Sequence, residues 1–256
     1  MTVLLAALFF LTAALYASVG FGGGSTYSAL LVLNGVDYRL LPVLALACNI
    51  IVVTGGVVRF QKSGDLPLKR MYPFMIASIP AATLGGRLPI SETLFIGLLG
   101  GALLASGLRL ATQADPADRA SSTGELPLPF ALSVGGAIGL LSGIVGIGGG
   151  IFLAPILYMM RWGSPRAIAA ASSLFILVNS LAGLVGQSAK LQQTDILPQL
   201  LPFWPLFIAV LVGGQIGSWA ASASLQPKLI KRFTAILILY VAVRLLYRWG
   251  GLAGLI

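Results

Sequence analysis

Two runs of three glycines stand inside otherwise apolar sequence: Gly22, Gly23 and Gly24, followed by Ser25 and Thr26, and Gly148, Gly149 and Gly150, followed by Ile151. Three consecutive glycines relax the dihedral restrictions on the chain and expose backbone, so a helix is expected to open there. The helix that resumes behind each run begins with unpaired N–H groups and the positive end of its dipole. Two such ends close together form a seat for a small anion, with the Ser25 and Thr26 hydroxyls beside the first. The competing reading of the same glycines is close helix crossing, which also accounts for Gly100-Gly101, Gly135-Gly136 and Gly213-Gly214. A nucleotide-cradling loop is excluded, because no lysine follows either run as in a phosphate loop.

The next polar groups are uncharged. Asn49, Asn179 and the pair Ser172-Ser173 fall in the middle of apolar stretches, with Gln187 and Gln215 nearer the ends of theirs. An amide in an apolar medium needs a partner, so Asn49 and Asn179 either contact a ligand or glue helices together. All seven acidic residues lie in or beside loops, leaving no buried carboxylate as a proton relay. There is no histidine and a single cysteine, Cys48, so neither a His/Cys metal centre nor an intramolecular disulfide is expected. No nucleophile has a base available, which argues against an enzyme. The net charge of +9 is spread over short loops without interleaved aromatics, a pattern for anionic lipid headgroups rather than nucleic acid. No metal or other cofactor is implied.

These residues must be held by helices in lipid. Of 256 residues 57% are hydrophobic and only 9% charged, against about 25% charged in an ordinary soluble domain, so water cannot cover the surface. Fourteen prolines and 32 glycines fit membrane helices, which tolerate both. The predicted fold is an all-α polytopic membrane protein. Segments are expected at 3–19, resuming at 25–33 after the first glycine run, then 40–58, 71–86 and 93–108. A polar linker follows, and the pattern restarts at 128–145, resumes at 151–160, and continues at 167–186, 200–221 and 233–247. The halves are thus 1–110 and 128–256, joined by 111–127. "SVGFGGG" at Ser18–Gly24 aligns with "GIVGIGGG" at Gly143–Gly150, Asn49 with Asn179, Pro73 with Pro205 and Gly85 with Gly217. A duplicated four-segment unit is the usual construction of secondary transporters.

Orientation depends on the breaks. If each broken segment crosses once, the halves are parallel, and the sixteen basic residues divide nine to seven. If each is a re-entrant hairpin, the halves are inverted, and Arg59–Arg70, Arg109–Arg119, Arg161–Arg166 and Lys228–Arg232 share a side holding eleven of the sixteen. The positive-inside rule favours the inverted arrangement, with those loops cytoplasmic and both termini outside. Against it, the 17 or 18 residues before each break span about 25 Å, most of the apolar core.

The motifs "SVGFGGGSTYSALLV" and "GLLSGIVGIGGGIFLAPILYMM", with "GSPRAIAAASSLFILVNSLAG" beyond, resemble the TauE/SafE family of sulfite and organosulfonate exporters. The likeness is sharpest at Gly143–Pro155 and Ala167–Gly183, with Ser172, Ser173 and Asn179 in the expected order. The N-terminal half departs from it, having Leu31-Val32-Leu33 after its break where the second half has Pro155, and only "ALACNIIVVTGG" for the alanine–serine helix. The resemblance implies a multi-pass transporter of the bacterial inner membrane that exports a small anion such as sulfite, sulfoacetate or a taurine-derived sulfonate. Transport of another small organic anion or ion, and a non-transport assembly role, are the competing readings. Homo-oligomerisation stays open. The expected substrate contacts are Gly22, Gly23, Gly24, Ser25, Thr26, Asn49, Gly148, Gly149, Gly150, Ser172, Ser173 and Asn179.

Overall fold

A computed structural model describes residues 3–18, 20–112, 126–191, 197–219 and 227–254. The expected polar linker, with Asp115, Asp118 and Arg119, lies almost wholly outside the described residues. The described chain is helical, with no strand among the described residues. In order the helices are α1 (Val3–Ser18), α2 (Gly24–Leu33), α3 (Leu41–Lys62), α4 (Leu68–Arg87) and α5 (Glu92–Thr112), then α6 (Leu128–Val145), α7 (Gly150–Met159), α8 (Pro165–Leu191), α9 (Trp204–Trp219) and α10 (Pro227–Leu252).

Among the described residues, five stretches are long and apolar enough to cross a membrane: Leu41–Lys62, Glu92–Arg109, Leu128–Val145, Pro165–Leu191 and Pro198–Trp219. Two segments differ from expectation. The stretch expected to open one helix at Leu200 instead runs as a 3-10 turn over Leu197–Phe203 before α9. Pro198, Pro202 and Pro205 each lack a backbone donor, which suits them to a helix entrance rather than its interior. The last helix begins at Pro227, six residues before the apolar run at Phe233, because Pro at a first helical position is pre-set for entry. Leu84, Ile76, Val185, Ile208, Ile216 and Val243 stay exposed on the outside of the bundle, as lipid-facing side chains do.

Small residues set the helix pairs. Gly135, Gly139 and Gly143 of α6 lie against the backbone of Phe74, Ser78 and Ala82 of α4, where any Cβ would overlap a carbonyl. Both series advance by four, so the two helices run parallel with one turn of each matched to one turn of the other. Gly213 and Gly217 of α9 meet Phe10 and Ala14 of α1 in the same parallel sense. By contrast Gly97, Gly100 and Gly107 of α5 meet Trp249, Leu246 and Leu239 of α10, numbers that fall as the others rise, so this pair is antiparallel. Gly135 and Gly213 therefore do serve helix crossing, whereas Gly101 has nothing within 4 Å.

The long helices α3 and α8 pack together at the centre. They are antiparallel: Leu46 near the start of α3 meets Gly183 late in α8, while Phe60 and Ser173 both flank Gly20. Beyond the Phe60 end, the α3–α4 turn is tied to the segment before α8. Arg166 Nε bonds Asp65 Oδ2 at 2.8 Å, and the Arg70 guanidinium stands 4.0 Å over the ring of the buried Trp162. At the opposite end, Leu5 at the start of α1 and Asn34, Asp37 and Leu40 beyond α2 line one surface cavity with Gln199 and Phe203. The α1–α2 pair therefore begins and ends at the same end of the bundle.

Candidate functional site

The two glycine runs open the helices as their composition requires. Gly23, at the entrance to α2, has φ +85°, and Gly149, at the entrance to α7, has φ +80°. A left-handed conformation is open to glycine at no steric cost and costs other residues about 1–2 kcal/mol. Neither entrance is capped by a side chain. Both helices thus present the positive ends of their dipoles with no side-chain acceptor on them.

The breaks meet each other around one side chain. Asn49, fully buried on α3, directs its amide between them. Its Nδ2 donates to the Ile147 carbonyl at 3.1 Å, a bond from the first half to the break of the second. A Cβ on Gly22 would collide with the Asn49 amide oxygen, and one on Gly24 would stand 2.6 Å from Nδ2 and 2.7 Å from the Ile147 carbonyl. A Cβ on Gly148 would stand 2.8 Å from the same Nδ2. The glycines are therefore needed twice, for the turn of the backbone and for the room the asparagine occupies.

On the α8 side, Ile176 contacts the positions of Gly22, Gly148 and Gly150, and Ser180 Oγ lies 3.1 Å from the Cβ position of Gly148. The α8 side chain that meets the breaks as Asn49 does is thus Ile176 rather than Asn179. The glycine runs are offset by 126 residues and this pair by 127, whereas matching asparagine to asparagine requires 130, one helical turn too far. Asn179 is buried and returns its Nδ2 to the Phe175 carbonyl of its own helix at 2.8 Å. Gly149 packs on Phe175 and Ile138.

The serines and threonine divide. Ser173 donates to the Gly20 carbonyl, joining α8 to the first break, and lies 2.9 Å from the Ala169 carbonyl. The Ser172 carbonyl approaches the Cβ position of Gly150, and its buried hydroxyl has no hydrogen-bond partner. Ser25 and Thr26 are buried in the first turn of α2, Thr26 Oγ1 sitting 3.0 Å from the Tyr16 hydroxyl on α1. Gly22, Gly24, Asn49 and Gly148 are thus brought to one point, with Gly150 adjoining through Ile176. Gly23 and Thr26 face α1 instead, and Asn179 bonds within its own helix.

Three contributors were not singled out from sequence: the Ile147 carbonyl, Ser180 and Tyr27, whose buried hydroxyl lies 3.2 Å from the Cβ position of Gly23 without a hydrogen-bond partner. Ser180 had a legible signal, since 172, 176 and 180 advance by four and share a helix face. The nearest neighbours of Gly22–Gly24 and of Gly148–Gly150 include no charged side chain, and no group of three or more His, Cys, Asp or Glu is arranged to hold a metal among the described residues. The centre is neutral and rich in donors and acceptors, bounded by two helix entrances.

The sulfite exporter TauE/SafE family model matches residues 5–245. A relative from Sinorhizobium fredii (strain NBRC 101917 / NGR234), named "Probable membrane transporter protein y4hK", is 35% identical over 245 residues, covering 95% of this chain and 97% of its own. No solved structure matches. An apolar, all-helical bundle with a buried polar centre, similar along its length to transporter sequences, is a multi-pass membrane transporter. The chain belongs to the TauE/SafE sulfite exporter family.

Proposed function

We propose that this protein exports a small anion, sulfite or an organosulfonate such as sulfoacetate or a taurine-derived sulfonate, across the bacterial inner membrane by alternating access between two inverted repeats. The observation that carries this reading is the meeting of two uncapped helix entrances, α2 and α7, at the buried amide of Asn49. Helix N-termini attract anions through their free N–H groups and dipoles, and discontinuous helices at the interface of repeats are where transporters place such sites.

The inversion is supported by helix sense. If the halves correspond in chain order, α3 matches α8 and α5 matches α10, and both pairs are antiparallel. An axis in the membrane plane produces that; an axis along the membrane normal would leave matched helices parallel. The cross-pairing is reciprocal as well, α4 on α6 and α9 on α1. The Asp65–Arg166 ion pair supports the same reading, since it joins two basic turns that re-entrant hairpins would put on one side and single crossings on opposite sides. With those turns cytoplasmic, an anion leaving the cell gains about 2.3 kcal/mol per charge for each 100 mV of inside-negative potential. Electrogenic efflux then needs no proton relay.

A carboxylate would satisfy the same neutral donors, so export of another small organic anion is the second reading. Efflux from proteoliposomes loaded with sulfite, sulfoacetate or acetate separates the two. Sulfur oxyanions leaving at least tenfold faster than acetate supports the first; the reverse order favours the second. Movement of none of them, or of an inorganic cation instead, would refute both.

A further inference from the structure

Asn49 and Ser180 approach the second break from opposite helices, and each leaves one polar atom unpaired. Asn49 Oδ1 is the atom nearest the Cβ position of Gly22 in the first break, and Ser180 Oγ lies 3.1 Å from that of Gly148 in the second, with the bonded Asn49 Nδ2 2.8 Å from the same point. Both side chains have zero solvent exposure. The Ile147 carbonyl can only accept, so it fixes which way the Asn49 amide turns: Nδ2 faces Ile147, and Oδ1 is left without a partner. Ser180 Oγ is likewise without a partner. Buried polar atoms in proteins are almost always paired, and each exception calls for a reason.

The two atoms ask for different things. Ser180 offers a hydroxyl proton, as do the helix entrances with their N–H groups. Asn49 Oδ1 offers only lone pairs, and nothing deprotonated can satisfy it. No charged side chain is among the nearest neighbours of either glycine run. In the Born picture the cost of removing an ion from water grows with the square of its charge, so a dianion pays about four times what a monoanion of equal size pays. With only neutral dipoles to offset that cost, the centre is matched to a single negative charge.

Resting on the reading of the protein as an anion transporter, we propose that its substrate is a monoanion that also carries a hydrogen-bond donor. Ser180 binds the anionic oxygen and Asn49 Oδ1 accepts the donor. Hydrogen sulfite fits this class; the fully deprotonated sulfite dianion does not, and sulfoacetate, with two charges at neutral pH and no donor, is thereby the poorest of the anions named above. Among sulfonates, one bearing a hydroxyl or amine fits better than its plain alkyl counterpart. Asn49 thereby sets the preference for a donor-bearing substrate, while Ser180 and the helix entrances supply general anion affinity.

The test uses fixed-charge probes in proteoliposomes of the full chain: 2-hydroxyethanesulfonate against ethanesulfonate, which differ by one hydroxyl, and ethanesulfonate against sulfate for charge. The wild type is expected to prefer the hydroxylated sulfonate about tenfold, the value of one well-made hydrogen bond, and to move sulfate at least tenfold more slowly than either. N49L should bring the hydroxyl preference to within about twofold of unity, while S180A should slow both sulfonates about equally and keep their ratio. Equal transport of the two sulfonates by the wild type, sulfate moving as fast as they do, or a preference unchanged in N49L would each overturn the proposal. If N49L does not elute as a folded protein, the wild-type ratios and S180A still decide it. Absence of flux for every anion would instead defeat the underlying transport reading, and the proposal with it.

Discussion

The side-chain amide of Asn49 donates to the backbone carbonyl of Ile147 across 3.1 Å and 98 residues of sequence. One bond thereby ties the central helix of the first half to the break of the second. Removing it should cost more than an ordinary side-chain contact, because the Ile147 carbonyl is left inside a closed polar centre. N49A is expected to lower stability by about 1–3 kcal/mol and to reduce anion flux at least tenfold. Thermal unfolding in detergent and flux in vesicles measure the two effects separately, and wild-type flux in N49A would contradict the assignment.

Alanine at Gly148 meets two obstacles. Its φ of +83° strains any side chain, and the new methyl stands 2.8 Å from Asn49 Nδ2 and 3.0 Å from Ile176 Cγ2. We expect G148A to lose more than about 2 kcal/mol and to abolish transport. G101A is the control: it sits in α5 with nothing within 4 Å, and a glycine-to-alanine change inside a helix gains up to about 1 kcal/mol. Equal melting temperatures for the two variants would remove the steric argument.

The topology has its own test. In a C48S background, cysteines at Asp37 and Lys190 should react with an impermeant maleimide from outside the cell, and cysteines at Asp65 and Arg166 only after the inner face is exposed. Asp37 and Lys190 reacting from opposite sides would rule out inverted repeats.

The Asp65–Arg166 tie should respond to acid in a defined direction. The Ser63 hydroxyl, 2.5 Å from Asp65 Oδ2, and then Arg166 hold this carboxyl below its usual value. A lowered value means the charged form is favoured in the folded protein. Its contribution is fully present above the ordinary carboxylate range and disappears as pH falls through the lowered value. Arg166 is 67% exposed, so the contribution is small. The melting-temperature gap between wild type and D65N should be constant from pH 8 to about pH 5 and close below about pH 4; a gap that widens on acidification would contradict this.

Much of this was written in the sequence because lipid leaves few options. Helices must satisfy their own backbone, so apolar run lengths place them directly, and three glycines in a row place the breaks. Asn49 was identifiable as an amide with no partner in its own apolar run. Its partner was not, because Ile147 contributes a backbone carbonyl, and any residue type has one. Asn179 does not take the place opposite Asn49 for a related reason: shared polarity does not fix shared position, and a helix turns a three-residue slip into a different neighbour. The helix pairs were half legible, since Gly135 and Gly213 announced close crossings without saying which helices they crossed.

An anion passing between the two breaks carries its charge through the membrane potential, so efflux at a clamped potential reads that passage without an intermediate step. Vesicles loaded with sulfite and holding wild-type protein should lose it faster as the interior is made more negative, with G148A and N49A at least tenfold slower at every potential. Wild-type efflux that ignores the potential, or variants that match the wild type, would contradict passage between the breaks.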